Sequence, residues 1–237
     1  MCNRYVCPTL GEIKHYWELS DAQIRNWFSQ TFNASRTALV PILRLGEAGT
    51  LELVGARGGV IPFWWTEANS PLNTFNARTE EAATIPRLRH PAAKARCLIP
   101  AVGWYEWKEV ERVNSLTGEV TNGRQPYFIR RQDAKFIAFA GLMWRRTIEG
   151  DKSEFTCSIL TRDAVGPAAE VYTRMPIALT KDTEGRWLDP SLTDAVKAIE
   201  LARESAVTHL VYYDINPRMA KARNESVDFI EPFENPA

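Results

Sequence analysis

The sequence is poor in cysteine and histidine. It has four cysteines, at positions 2, 7, 97 and 157, and three histidines. No C-x-x-C pair and no H-x-x-x-H spacing occurs, so the usual zinc-ligand patterns are missing. Cys2, Cys7 and one of His15, His90 or His209 would be the one set left to hold a metal; neither a metal nor another cofactor is expected. Net charge is also lacking, with 29 basic residues against 29 acidic ones. A protein that coats duplex DNA by charge alone is usually basic, so any nucleic-acid contact must come from a local arginine patch. No apolar run is long enough to span a bilayer, and no charged segment followed by an apolar stretch marks a leader. No membrane partner is expected, and a cytoplasmic chain with reduced thiols is the default reading. No internal repeat or low-complexity segment appears. The 237 residues are read as one domain, and a monomer is expected.

Aromatic residues are plentiful, with eight tryptophans and ten phenylalanines. They either fill a core or form a surface on which bases stack. Ser20 with Gln23 reads as a capping box and predicts a helix over Asp21–Gln30, with Ile24, Trp27 and Phe28 at helical spacing. Thr37–Leu45 reads as a strand, Gly46–Gly49 as a turn, and Leu51 and Leu53 as part of the return strand. Cys97–Trp107 and Phe155–Thr161 are further strands. Tyr127–Arg131 and Phe136–Trp144 are predicted to pair across a turn at Gln132–Ala134. The polar stretch from Glu109 to Gln125 is predicted as an exposed hairpin or loop. Helices are expected over Lys181–Leu188 and Leu192–Glu204, capped by Thr180 and Ser191, and a strand over Leu210–Tyr213. The acidic, proline-containing tail after Asn224 is expected to be loosely held. Strands dominate without βαβ alternation, which argues for an α+β domain with mainly antiparallel, barrel-like sheets and flanking helices.

Four clusters carry chemistry. The chain starts Met1-Cys2-Asn3-Arg4-Tyr5. Removal of Met1 would place a free amine and a thiol on one residue. Such a 1,2-aminothiol condenses with an aldehyde to a Schiff base and closes to a thiazolidine. An α-amino group titrates near ~8, so a useful neutral fraction exists at neutral pH. From Met-Cys alone, the plainer reading of a small apolar residue at a chain end prevails. Phe75-Asn76-Ala77-Arg78-Thr79-Glu80 places an amide, a guanidinium and a carboxylate on one side of an extended segment, which suits phosphate and sugar recognition; an exposed polar edge is the plainer account. In Arg96–Trp107, Glu106 is one carboxylate within an apolar, aromatic run. Such surroundings raise a carboxyl pKa and prepare a general acid, although a structural ion pair fits equally well. Val171–Leu179 holds Arg174, which would meet a phosphate or merely sit in a loop.

In order and spacing, these clusters resemble the SOS-response-associated peptidase family, from Met1-Cys2 to about Trp187. Phe32–Ser35, Gly59–Trp64 and Ala140–Trp144 add to the resemblance. The resemblance implies capture of single-stranded DNA at abasic sites, with a thiazolidine between the sugar aldehyde and Cys2, and proposed autoprocessing of the terminus. It implies that Cys2 is the nucleophile, Asn76 orients terminus and sugar, and Glu106 is the acid that opens the deoxyribose ring. Arg4, Arg78 and Arg174 would hold phosphates, Trp65 and Trp107 would pack against displaced bases or wedge the duplex end, and Thr161 would lie near the sugar. A nucleoid location when DNA-bound follows. Three positions depart from the family pattern. Tyr172 stands where histidine is usual, so a phenol that donates hydrogen bonds replaces a group that shuttles protons near neutral pH. That change predicts surviving crosslinking with weakened lyase activity and reversal. Asn3 replaces a glycine, and Ser35 a common proline. The rival functions are a non-covalent single-stranded DNA-binding module and a peptide hydrolase with an N-terminal cysteine nucleophile.

Overall fold

Apolar residues in consecutive positions, flanked by glycine and proline, give this chain strands buried on both faces. The computed structural model describes residues 3–25, 29–62, 64–65, 74–113, 118–148 and 153–233. Its strands are β1 (Tyr5–Val6), β2 (Leu39–Leu45), β3 (Leu51–Gly58), β4 (Asn76–Arg78), β5 (Arg96–Ala101), β6 (Gly103–Val113), β7 (Val120–Arg131), β8 (Ile137–Thr147), β9 (Ser153–Asp163), β10 (Arg174–Pro176), β11 (Ala178–Leu179) and β12 (Leu210–Asp214). The helices are α1 (Leu10–Tyr16), α2 (Thr79–Ala82), α3 (Pro86–Lys94), α4 (Lys181–Leu188) and α5 (Ala195–Glu204).

Five strands close on themselves in the order β9-β3-β2-β5-β8 and back to β9, a small barrel in which only the β3–β9 pairing is parallel. A second sheet runs β1-β6-β7-β12, all antiparallel. This is the α+β, mainly antiparallel architecture expected from the sequence. Strand β9 is the organising element for the site. On one edge it pairs first with β3 and then with β4, and on the other with β8 and then β10.

Side chains alternate along the barrel strands as the pleat requires. Ile42, Val54, Cys97, Ile99 and Ile159 join a buried cluster with Tyr5, Trp104 and Ile129 of the second sheet. Leu43, Leu53, Leu98 and Leu160 face the opposite way, onto Ile13 of α1, Leu88 of α3, Trp187 of α4 and Ile199 of α5. The far face of the second sheet, Val6, Tyr105 and Phe128, is covered by Ile215, Met219 and Phe229. Strand β6 is therefore buried on both sides over Trp104 and Tyr105, and Glu106 follows directly.

Several expectations need correction. The Ser20–Gln23 capping box forms, yet only a 3-10 turn at Asp21–Gln23 follows it. Ile24 leaves the turn to bridge Leu53, and Arg25 N donates to Leu53 O at 3.0 Å, so sheet pairing overrides the local helix signal. Trp27 and Phe28 lie outside the described residues. Tyr127–Arg131 and Phe136–Trp144 do not pair: β7 lies between β6 and β12, while β8 lies between β5 and β9 in the barrel. The turn at Gln132–Ala134 carries the chain from one sheet to the other. The hairpin expected in the polar stretch after Glu109 does form, as the far end of the long β6–β7 hairpin, paired out to Val113 and Val120. Helix α5 is capped by Asp194 rather than Ser191, with Oδ1 accepting from Val196 N and Lys197 N. The tail is held through Phe233: Phe229 is buried, Tyr213 Oη donates to Ile230 O at 2.6 Å, and Phe233 N donates to Asp214 O at 3.0 Å.

Candidate active site

The start of the chain is fixed by β1. Tyr5 pairs with Trp104 and Val6 with Gly103, and Tyr105 N donates to Arg4 O at 3.0 Å. Continuing that antiparallel register brings Asn3 level with Glu106. Cys2 lies outside the described residues. Asn3, its neighbour in the sequence, is the described residue next to it. Asn76 comes from β4, aligned in parallel with Ile159 of β9. Its Nδ2 donates to Asn3 Oδ1 at 3.2 Å, which joins the second cluster of the sequence to the first.

Glu106 is 2% exposed, and burial pushes its carboxyl from 4.5 up to about 7. The cause is the loss of water around a charged carboxylate on a strand packed on both faces. A cavity of about 410 Å³ opens at this carboxyl, lined by Asn3, Glu106, Trp107, Arg124, Tyr172 and Thr173 among others. Tyr172 is positioned by the 3-10 turn at Gly166–Glu170, with its N donating to Ala168 O at 3.1 Å. A second cavity of about 600 Å³ shares Asn3, Trp107 and Arg124 with the first and adds Arg4, Ser35, Arg36 and Pro217. The two adjoin along Asn3, Trp107 and Arg124 and make a groove with the buried acid on one side and Arg4 and Arg36 on the other, where Arg124 also pairs with the exposed Glu109 at 3.7 Å.

The remaining candidates are placed less directly. The Arg4 guanidinium donates to Asn33 Oδ1 at 2.9 Å and to the carbonyls of Met219 and Ala220, so it ties the terminus to the C-terminal segment while lining the groove. Burial and the nearby Arg36 lower its pKa. Arg174 binds both oxygens of Glu80, at 3.1 and 3.0 Å, and Asp163 at 2.6 Å. That pairing holds the Glu80 carboxyl down at about 2. The reading of Asn76, Arg78 and Glu80 along one extended edge is corrected here. Asn76 and Arg78 are on β4, but Glu80 sits in α2 and faces Arg174. Arg78 is exposed at the end of β4, level with Thr161. Thr161 is fully buried, behind Arg174, which donates to its carbonyl at 2.9 Å. Trp65 is half-buried and lines neither part of the groove. The open ring beside it is Trp64, 49% exposed and edge-on to Trp144 with centroids 5.4 Å apart. Cys7 and Cys157 are buried in the core, where burial raises both thiols to about 12, and they are inert there.

Arg36 and Arg124 were not singled out by sequence reasoning. Neither lies in a motif: Arg36 follows Ser35 in a loop, and Arg124 sits in the polar hairpin. Only the fold brings them to one groove.

A family model described as SOS response associated peptidase (SRAP) matches residues 1–222. This chain belongs to that family. Similar SRAP relatives include the abasic site processing protein YoaM of Bacillus subtilis, 26% identical over 232 residues that cover 98% of each chain. The abasic site processing protein YoqW of the same organism is 28% identical over 175 residues, 74% of each chain. The mouse abasic site processing protein HMCES is 22% identical over 209 residues, 76% of this chain and 56% of the mouse protein. Among solved structures, a Bacteroides thetaiotaomicron protein superposes with a TM-score of 0.74 at 21% identity, over 98% of this chain and 99% of that one. A phage-related protein of Bordetella bronchiseptica gives a TM-score of 0.67 at 24% identity, over 90% and 94%. SRAP membership agrees with abasic-site processing in DNA as the broad activity. No helix among the described residues is long and apolar enough to cross a membrane.

Proposed function

We propose that this SRAP protein captures abasic single-stranded DNA covalently through Cys2 once Met1 is removed. The observation that carries the reading is Asn3 at the junction of the groove, bonded to Asn76 and lining the same cavity as the buried Glu106. The closed abasic sugar is a hemiacetal. Glu106, about half protonated near pH 7, gives its proton to the ring oxygen as the bond from that oxygen to C1′ breaks. The carboxylate takes the proton of the C1′ hydroxyl, leaving an aldehyde. The Cys2 amine adds to that carbonyl carbon and water leaves, giving an imine. The Cys2 sulfur then bonds the same carbon, and the thiol proton passes to the nitrogen. The product is a thiazolidine and one water.

Arg4, Arg36 and Arg124 give the groove the charge that an overall neutral protein needs to hold a phosphodiester strand. Trp107, shared by both cavities, offers a face for an unpaired base. Arg174 acts here mainly through Glu80 and Asp163, holding α2 and β10 beside β9. With a phenol at position 172, imine hydrolysis and strand cleavage lack the second shuttle that an imidazole beside Glu106 would supply near neutral pH, so capture outlasts lyase chemistry. The test is intact mass spectrometry of untagged protein before and after incubation with an abasic oligonucleotide. Loss of Met1 and a DNA adduct absent in Cys2→Ala are expected. A processed protein that binds the oligonucleotide but forms no adduct refutes covalent capture and leaves the non-covalent DNA-binding module.

A further inference from the structure

An amide side chain has two ends of opposite character, a donor NH2 and an acceptor oxygen, on nearly the same shape. Which end faces a reactant is set by what holds the other end. Asn76 Nδ2 is held by Asn3 Oδ1 at 3.2 Å. Asn76 Oδ1 is buried, and among the described residues no hydrogen bond reaches it. A buried acceptor left open is costly unless a ligand or reactant completes it. Asn3 also lies level with Glu106 and shares a cavity with Glu106 and Tyr172.

We infer that Asn3 is a positioning residue for the capture reaction. By accepting the Asn76 amide hydrogen it favours the orientation that keeps the Asn76 oxygen as an open acceptor. The Cys2 amine, and the imine nitrogen once protonated, carry N–H donors that such an acceptor satisfies. Turned over, Asn76 would meet those donors with its own NH2. The inference rests on the covalent-capture reading and adds to it a residue that sets the orientation of a reacting partner. It also gives position 3 a reason to bear a side chain.

The test is the rate of adduct formation on an abasic oligonucleotide, followed on denaturing gels from about pH 5.5 to 8.5, a range that brackets the titration of Glu106. Mass spectrometry first checks that each variant has lost Met1. Asn3→Ala is expected to slow capture roughly 3- to 10-fold, the range one neutral hydrogen bond supplies. Its melting temperature is expected to stay at the wild-type value, and rates are compared at saturating oligonucleotide, so that a change in affinity does not enter the comparison. Asn3→Asp keeps the acceptor and is expected to retain the wild-type rate at its optimum. Its alkaline limb should move to higher pH, because a second carboxylate beside Glu106 disfavours the charged form. In an Asn76→Ala background, Asn3→Ala is expected to add nothing, since the two act as one unit. Independent slowing by the two substitutions, or wild-type capture by Asn3→Ala, overturns the positioning role while leaving covalent capture intact. No adduct with the processed wild-type protein overturns the capture reading and the positioning role together.

Discussion

Replacing Glu106 by glutamine should stabilise this protein at alkaline pH while abolishing its acid. The carboxyl is 2% exposed, and burial raises it from 4.5 to about 7. At about 1.36 kcal/mol per pKa unit, that rise corresponds to about 3 kcal/mol. The sign follows from linkage. The folded state binds this proton more tightly than the unfolded chain does. Below pH 4.5 both states carry it and nothing is lost. Between 4.5 and about 7 the unfolded carboxyl ionises first, so stability falls. Above about 7 the folded protein carries a buried carboxylate and the full cost of about 3 kcal/mol. Glutamine is neutral throughout. Urea unfolding of wild type and Glu106→Gln, at about pH 4.5 and about pH 8.5, should therefore give a stability difference that grows by about 3 kcal/mol in favour of the variant. A constant offset from the amide's own contacts does not matter, because the change with pH is the signal. The same variant should lose most of its DNA capture at every pH. A stability difference that stays flat between the two pH values would refute the claim that burial holds Glu106 as an acid near neutrality.

Three further outcomes follow from the groove and the strand beneath it. Arg36→Ala and Arg124→Ala should each weaken binding to single-stranded DNA and make the log–log salt dependence shallower by roughly 0.7 per lost phosphate contact; an unchanged slope in both removes the second cavity from the DNA path. Tyr172→His should speed the release of adducts into an aldehyde trap and raise strand cleavage near neutral pH, because imidazole shuttles protons there. Release at the wild-type rate would mean that residue 172 does not govern reversal. Gly103→Ala should destabilise the fold by roughly 1–3 kcal/mol, because a Cβ there would lie 2.5 Å from both Ile129 O and Phe128 Cζ. An unchanged urea midpoint would mean that β6 and β7 are less closely packed than the structure has them.

Local sequence signals failed where a long-range contact outbid them. The Ser20–Gln23 capping box is a sound helix start, and Gln23 Oε1 accepts from Ser20 N at 2.9 Å, but Ile24 finds a strand partner in Leu53 and the helix ends after one turn. Gln132–Ala134 has the composition of a hairpin turn, yet its flanking strands belong to different sheets, because β8 is the strand that closes the barrel against β9. Alternation and length cannot say which strand pairs with which. The site shows the same division. Glu106 was legible because one acid amid Gly103-Trp104-Tyr105 and Trp107 is conspicuous, and Asn76 because of its place in the Asn-x-Arg motif. Arg36 and Arg124 were not, because each is an ordinary charged residue in a polar stretch.

By itself, then, the order of residues determined the chemistry that is available: a cysteine at position 2 whose amine the loss of Met1 would free, one acid in aromatic surroundings, and a phenol at position 172. Those are properties of side chains and their immediate neighbours. What only the tertiary structure decided is which groups meet. The pairing of β1 with β6 sets Asn3 level with Glu106, β9 carries Asn76 to it on β4, and the β6–β7 hairpin brings Arg124 to Arg4 and Arg36. The physical reason is that strand pairing is a choice among distant segments made by the burial of the whole core, and no short window of sequence contains it.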